Sequence, residues 1–111
     1  MDGGGLIVDP ERGALALWRR QREILLLAAD GSESKLGEGT QPVLARLREG
    51  IRVAWQEGPN VSVRSAKSPA EARTLPGRFP SLVASPDGGR GYLVVEAMRG
   101  KSATIEFTVV P

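Results

Sequence analysis

The chain has 111 residues, enough for one small domain, and contains neither Cys nor His. That excludes disulfides, thiolate nucleophiles, histidine acid–base pairs and the usual zinc sites. The net charge of +2 comes from 15 basic and 13 acidic residues. Its tightest basic cluster, Arg19, Arg20 and Arg22, lacks the dense stripe of a nucleic-acid domain, so it reads as a solvated turn or strand end.

The 14 Gly and 8 Pro make about a fifth of the chain, which favours many short elements joined by turns over a helical bundle. In chain order, a Gly-rich entry is followed by a short apolar strand at Leu6–Val8, a polar turn at Asp9–Gly13, and a second strand at Ala14–Trp18. A third strand is predicted at Glu23–Ala28 and a weak fourth around Ser34–Leu36. The second unit repeats this with strands at Val43–Ala45, Ile51–Gln56 and Val61–Ser65, and a weak fourth around Ala72–Leu75. The third has strands at Ser81–Ala84, Tyr92–Glu96 and Thr104–Val110, with a longer turn over Ser85–Gly91.

The repeat can be read by superposing the chain on itself. At a shift of 37 residues, and with no gap, Leu6 falls on Val43, Gly13 on Gly50, Trp18 on Trp55, Ile24 on Val61 and Leu26 on Val63. A shift of 38 to 41 then brings Gln41-Pro42 onto Phe79-Pro80 and Val53–Gln56 onto Leu93–Glu96. The repeat positions singled out are therefore Gly13, Gly50, Trp18, Trp55, Pro42 and Pro80, with units at about 3–38, 39–76 and 77–111.

A helical reading competes locally, because Ala14–Ala29 is rich in good helix formers. Val43–Trp55 can also be drawn on a helix, but Gly50 stands mid-segment, where a helix loses about 1 kcal/mol relative to Ala. Ile105, Phe107 and Val109 alternate with Thr104, Glu106 and Thr108 in the plain period of a strand. Aligned units should share one structure, so the expectation is all-β. Three to four strands per unit of about 37 to 40 residues match antiparallel β-meander blades of a partial β-propeller. Trp18 and Trp55 then become packing residues between stacked blades.

The units resemble the repeats of sialidase-like propellers with Asp-box (bacterial neuraminidase) repeats, a six-bladed type. The resemblance is carried by Gly39–Ala45, Gly50–Gln56, Val61–Ser65 and Gly77–Gly89. The family's hairpin motif, Ser-x-Asp-x-Gly-x-Thr-Trp, is not intact; Ala28–Ser32 is a degenerate version and Ser65–Pro69 keeps only the Ser. The resemblance implies a substrate carboxylate held by three Arg, a Tyr–Glu nucleophile pair and an Asp acid–base in the family's enzymes. No motif places such a set here. Tyr92 reads as packing, and Glu57 and Glu96 as solvated or turn-pairing carboxylates.

No catalytic, cofactor-binding or metal-binding residue is therefore nominated, and no cofactor is called for. Gly3-Gly4-Gly5 lacks the flanking elements of a phosphate loop. The expected function is binding or scaffolding, with a carbohydrate or protein ligand. The alternative is a piece of a sialidase-like glycoside hydrolase whose catalytic groups lie outside the chain. No stretch has the length of a membrane span, and no signal peptide is read at the N-terminus; an exported origin is implied only by the resemblance. About three blades do not fill a ring, and the last unit stops after its third strand. The expected partner is thus a second copy or the rest of a longer propeller, with Ile7, Phe107 and Val109 as candidates for the bare surfaces.

Overall fold

The computed structural model describes residues 4–10 and 13–110. Met1, Asp2 and Gly3 of the Gly-rich entry, Glu11 and Arg12 of the first turn, and the terminal Pro111 lie outside the described residues. Among the described residues every regular element is a β-strand, and every pairing is antiparallel.

The first sheet is a meander of β1 (Gly5–Asp9), β2 (Gly13–Arg20), β3 (Glu23–Ala28) and β4 (Glu33–Glu38). The second has β5 (Thr40–Leu47), β6 (Gly50–Glu57), β7 (Asn60–Ser65) and β8 (Ser68–Pro76). The third holds β9 (Arg78–Ala84), β10 (Gly91–Arg99) and β11 (Ser102–Val110) in the order β11-β10-β9. The helix-prone stretch Ala14–Ala29 is thus the β2–β3 hairpin. Its turn holds Gln21 at φ 57°, a left-handed residue that no Gly announces.

The sheets stack in chain order, and each has two distinct faces. In β2 and β3, Leu15, Leu17, Ile24 and Leu26 point toward the second sheet. Ile51, Val53 and Trp55 of β6 meet them there and close one buried cluster, together with Leu36. The opposite face of the second sheet presents Ala54, Val61 and Val63, which pack on Leu93, Val95 and Val110 of the third. Alternation along each strand is what allows one sheet to serve two cores. Two successive sheets therefore use equivalent residues to meet their neighbours: Val53 and Trp55 of β6 correspond to Leu93 and Val95 of β10.

First strands approach one another across the sheets, β5 lying against both β1 and β9, whereas the fourth strands β4 and β8 come together at few points. The stack is therefore fanned, tight along the first strands and open at the outer edge. Its extents are 47 × 34 × 22 Å.

Two corrections concern the first unit, and they share one cause. Gly5–Asp9 pairs with Gly13–Leu17 so that Leu6 lies opposite Ala16, whereas Leu44 lies opposite Val53. Leu6 therefore corresponds to Leu44, not to Val43. The turn from Asp9 to Gly13 is one residue longer than that from Leu47 to Gly50, so the gapless alignment slips by one along the first strand. In a strand one residue reverses the face. Ile7 consequently packs against the first core cluster, while Leu6 and Val8 are exposed at 72% and 71%.

Gly13 and Gly50 open the second strands at φ 77° and 137°, where a Cβ is disfavoured. Pro42 and Pro80 are both buried, and each follows a non-glycine residue in the left-handed region: Gln41 at φ 53° and Phe79 at φ 54°. At both places the ladder is interrupted, between Thr40 and Val43 and between the partners of Val94 and Glu96. A bulge puts the prolines, which have no N–H to donate, where the ladder does not require one.

Candidate functional site

Trp18 and Trp55 occupy the same register, opposite Leu25 and Ser62. Only Trp55 is covered by a neighbouring sheet. It is fully buried, and its Nε1 donates to Glu57 Oε1 at 2.8 Å. The Arg64 guanidinium lies 4.6 Å from the ring centroid and also donates to Glu57 Oε1 at 3.1 Å, to Ser62 Oγ at 3.0 Å and to the Pro69 carbonyl at 2.7 Å. Arg64 is a structural cation with its donors engaged. Trp18 is half-buried on the outer face of the first sheet, and Arg20 replaces the Glu at the position corresponding to Glu57. Its Nε1 is buried with no hydrogen-bond partner among the described residues.

At one end of the stack, the turns between first and second strands gather charge. A groove of about 190 Å³ is lined by Asp9, Arg46, Arg48, Glu49 and Lys67. The third-sheet turn docks beside it: Arg48 N donates to the Gly88 carbonyl at 2.6 Å and Arg48 Nη2 to the Asp87 carbonyl at 2.9 Å. Within that turn Ser85 Oγ and Gly89 N donate to Asp87 Oδ1 at 2.7 and 2.9 Å, and Arg90 N donates to Ser85 Oγ at 3.1 Å.

Ser85-x-Asp87-x-Gly89 matches the first half of the Ser-x-Asp-x-Gly-x-Thr-Trp hairpin motif, a match the sequence reading overlooks. Gly91 and Tyr92 replace its Thr and Trp. The match also falls between a first and a second strand, whereas the degenerate Ala28–Ser32 turn joins a third to a fourth. In that turn Asp30 Oδ1 likewise accepts from Ser32 N and Oγ, at 2.9 and 2.7 Å. Both are Asp-closed turns, and neither needs a ligand to account for it.

The Ser85 hydroxyl, and after it the Gly89 N–H, hold the Asp87 carboxyl below its ordinary value of 3.8, with the Arg48 charge acting in the same sense. A carboxyl with a lowered folded value contributes stability above its unfolded value and loses it as pH falls through the folded one. The Asp87→Ala variant is therefore expected to melt below the native chain by a constant margin from about pH 5 to 8, a margin that shrinks below about pH 4. Thermal unfolding of the two proteins across pH checks this. A margin that stays flat into acid would mean that the carboxylate charge plays no part.

At the opposite end, a cleft of about 310 Å³ lies between the second and third sheets, lined by Pro59, Pro76, Gly77, Arg78, Glu96 and the projecting β10–β11 hairpin. Arg78 Nη2 donates to Glu96 Oε1 at 2.8 Å, so Glu96 is an ion-paired carboxylate on the cleft wall.

Tyr92 and Glu96 share one face of β10 but stand four residues apart, about 13 Å along a strand. Glu57 is committed to Trp55 and Arg64. Among the described residues, the three first strands carry a single carboxylate, Asp9, and no group of three or more acidic side chains could hold a metal ion. No protein-family model, curated protein or solved structure matches the chain.

Proposed function

We propose that the chain is an arc of three blades of a sialidase-like β-propeller, and that it serves in binding or scaffolding rather than catalysis. The observation that carries this reading is the repeated use of the same face. Val53 and Trp55 of the second sheet, and Leu93 and Val95 of the third, turn toward the preceding sheet, with the first strands held side by side. A repeat that meets each neighbour in the same way is what a ring of blades requires.

The chemistry agrees with a non-catalytic role. A glycosidase of this kind needs a Tyr–Glu nucleophile pair and an Asp acid–base facing each other across a bound sugar, as the resemblance implies. The first strands, which would line a ring axis, supply one carboxylate at most among the described residues. Ligands for such a module are a carbohydrate or a protein segment, with the cleft beside Arg78 and Glu96 as the concave surface offered. The purified chain is expected to release no fluorophore from a fluorogenic sialoside. Turnover that disappears in the Tyr92→Phe variant would overturn the non-catalytic reading.

A further inference from the structure

We infer that the partner covering the two outer faces of the stack is a second copy of this chain, bound head to tail so that two arcs close one ring. The inference rests on the propeller reading and adds its partner.

The large exposed apolar side chains are concentrated on the two end faces. The outer face of the first sheet presents Leu6 and Val8, exposed at 72% and 71%, beside the half-buried Trp18. The outer face of the third sheet presents Val83, Ile105, Phe107 and Val109, exposed at 58%, 61%, 74% and 52%. Such patches on a small chain mark an interface.

The two faces are the two halves of one kind of contact. By register, Leu6 and Trp18 correspond to Leu44 and Trp55, which the second sheet buries against the first. On the other side, Val94 lies opposite Phe107 as Ala54 lies opposite Val63, and Ala54 and Val63 are buried against the third sheet. The first sheet therefore offers a surface of the type that leads into an internal contact, and the third a surface of the type that receives it. Both are on every copy, so two copies present complementary surfaces twice over.

Each copy holds three sheets, with extents of 47 × 34 × 22 Å. Two such arcs related by a two-fold axis close a six-bladed ring, a number within the range of propellers, and leave neither face bare.

The test is sedimentation equilibrium of the full chain at high micromolar concentration, with two variants on exposed side chains. The native chain is expected at twice its 11.8 kDa mass. Leu6→Glu and Phe107→Glu each place a charge in both contacts of the ring, and each is expected to weaken dimerisation at least about thirtyfold. In a mixed pair one contact is unaltered and the other carries both charges, so mixing is expected to give a dimer held by one contact, weaker than the native ring but tighter than either variant alone. A native chain that stays monomeric overturns the inference, as does a Phe107→Glu or Leu6→Glu variant that remains as dimeric as the native chain. Failure of the underlying reading would show differently: the Phe107→Glu monomer would lose the contact of Trp55 with Gly37 inside a single chain.

Discussion

Replacing Trp55 by alanine is expected to destabilise the fold by about 3–5 kcal/mol, the range for removing a large buried aromatic. The side chain is fully buried, and it is the largest member of the cluster joining the first two sheets. Its removal opens a cavity next to Leu15, Leu17, Ile24 and Leu26 and leaves Glu57 and Arg64 without the ring that organises them. In the monomeric Phe107→Glu background Trp18→Ala is expected to cost less, about 1–2 kcal/mol, because within one chain its ring is only half-buried and its Nε1 has no hydrogen bond to lose. Chemical denaturation of both variants measures the contrast. Equal losses would mean that the outer face of the first sheet is covered as fully as the inner one.

The second large effect is expected at Gly39, which is buried in the link between the first and second sheets. A Cβ there would run into Trp55 Cδ1 and stand 2.5 Å from the Gln56 carbonyl oxygen. The carbonyl belongs to β6 and cannot swing aside. The Gly39 N–H is also committed, donating to the Arg22 carbonyl at 2.8 Å. Gly77 repeats the arrangement, donating to Pro59 O at 3.0 Å with its own missing Cβ facing Val95. Gly39→Ala is expected to cost about 2–3 kcal/mol through forced displacement. Gly58→Ala is the control: its φ of 59° makes alanine cost about 1 kcal/mol, but nothing stands within 4 Å of the added carbon. If the two variants unfold at the same denaturant concentration, the close approach of Gly39 to Trp55 does not exist.

The second and third strands were legible because apolar residues alternate along them and turn residues bound them, as at Ile51–Gln56 and Thr104–Val110. The fourth strands were faint for a physical reason: β4 and β8 are mostly exposed, so burial imposes little pattern on them. The slip at Leu6 could not be seen in the pattern, because one extra turn residue leaves the period of the strand intact while reversing its face. Left-handed Gln21, Gln41 and Phe79 were also invisible, since the residue type at those positions carries no sign of its backbone angle. Arg64 reads in sequence as a solvated charge; its stacking on Trp55 depends on Glu57 and Ser62 arriving on the same face. Of the candidate surfaces, the bare third-sheet face was legible at Phe107 and Val109. The cleft beside Arg78 was not, because three separate segments build it.

The stacking of successive repeats face on face is the claim on which the fold, the glycine links and the outer surfaces all depend. Proton NMR of the chain, with nuclear Overhauser effects assigned from the Trp55 indole, tests it most directly. The indole Cζ2 lies where a Gly37 Cβ would be 2.5 Å away, so strong cross-peaks to the Gly37 α-protons are expected, with those protons shifted upfield by the ring. A Trp55 indole with no cross-peak to the first sheet, and with an Nε1 proton exchanging rapidly with water, would contradict the stacked arrangement.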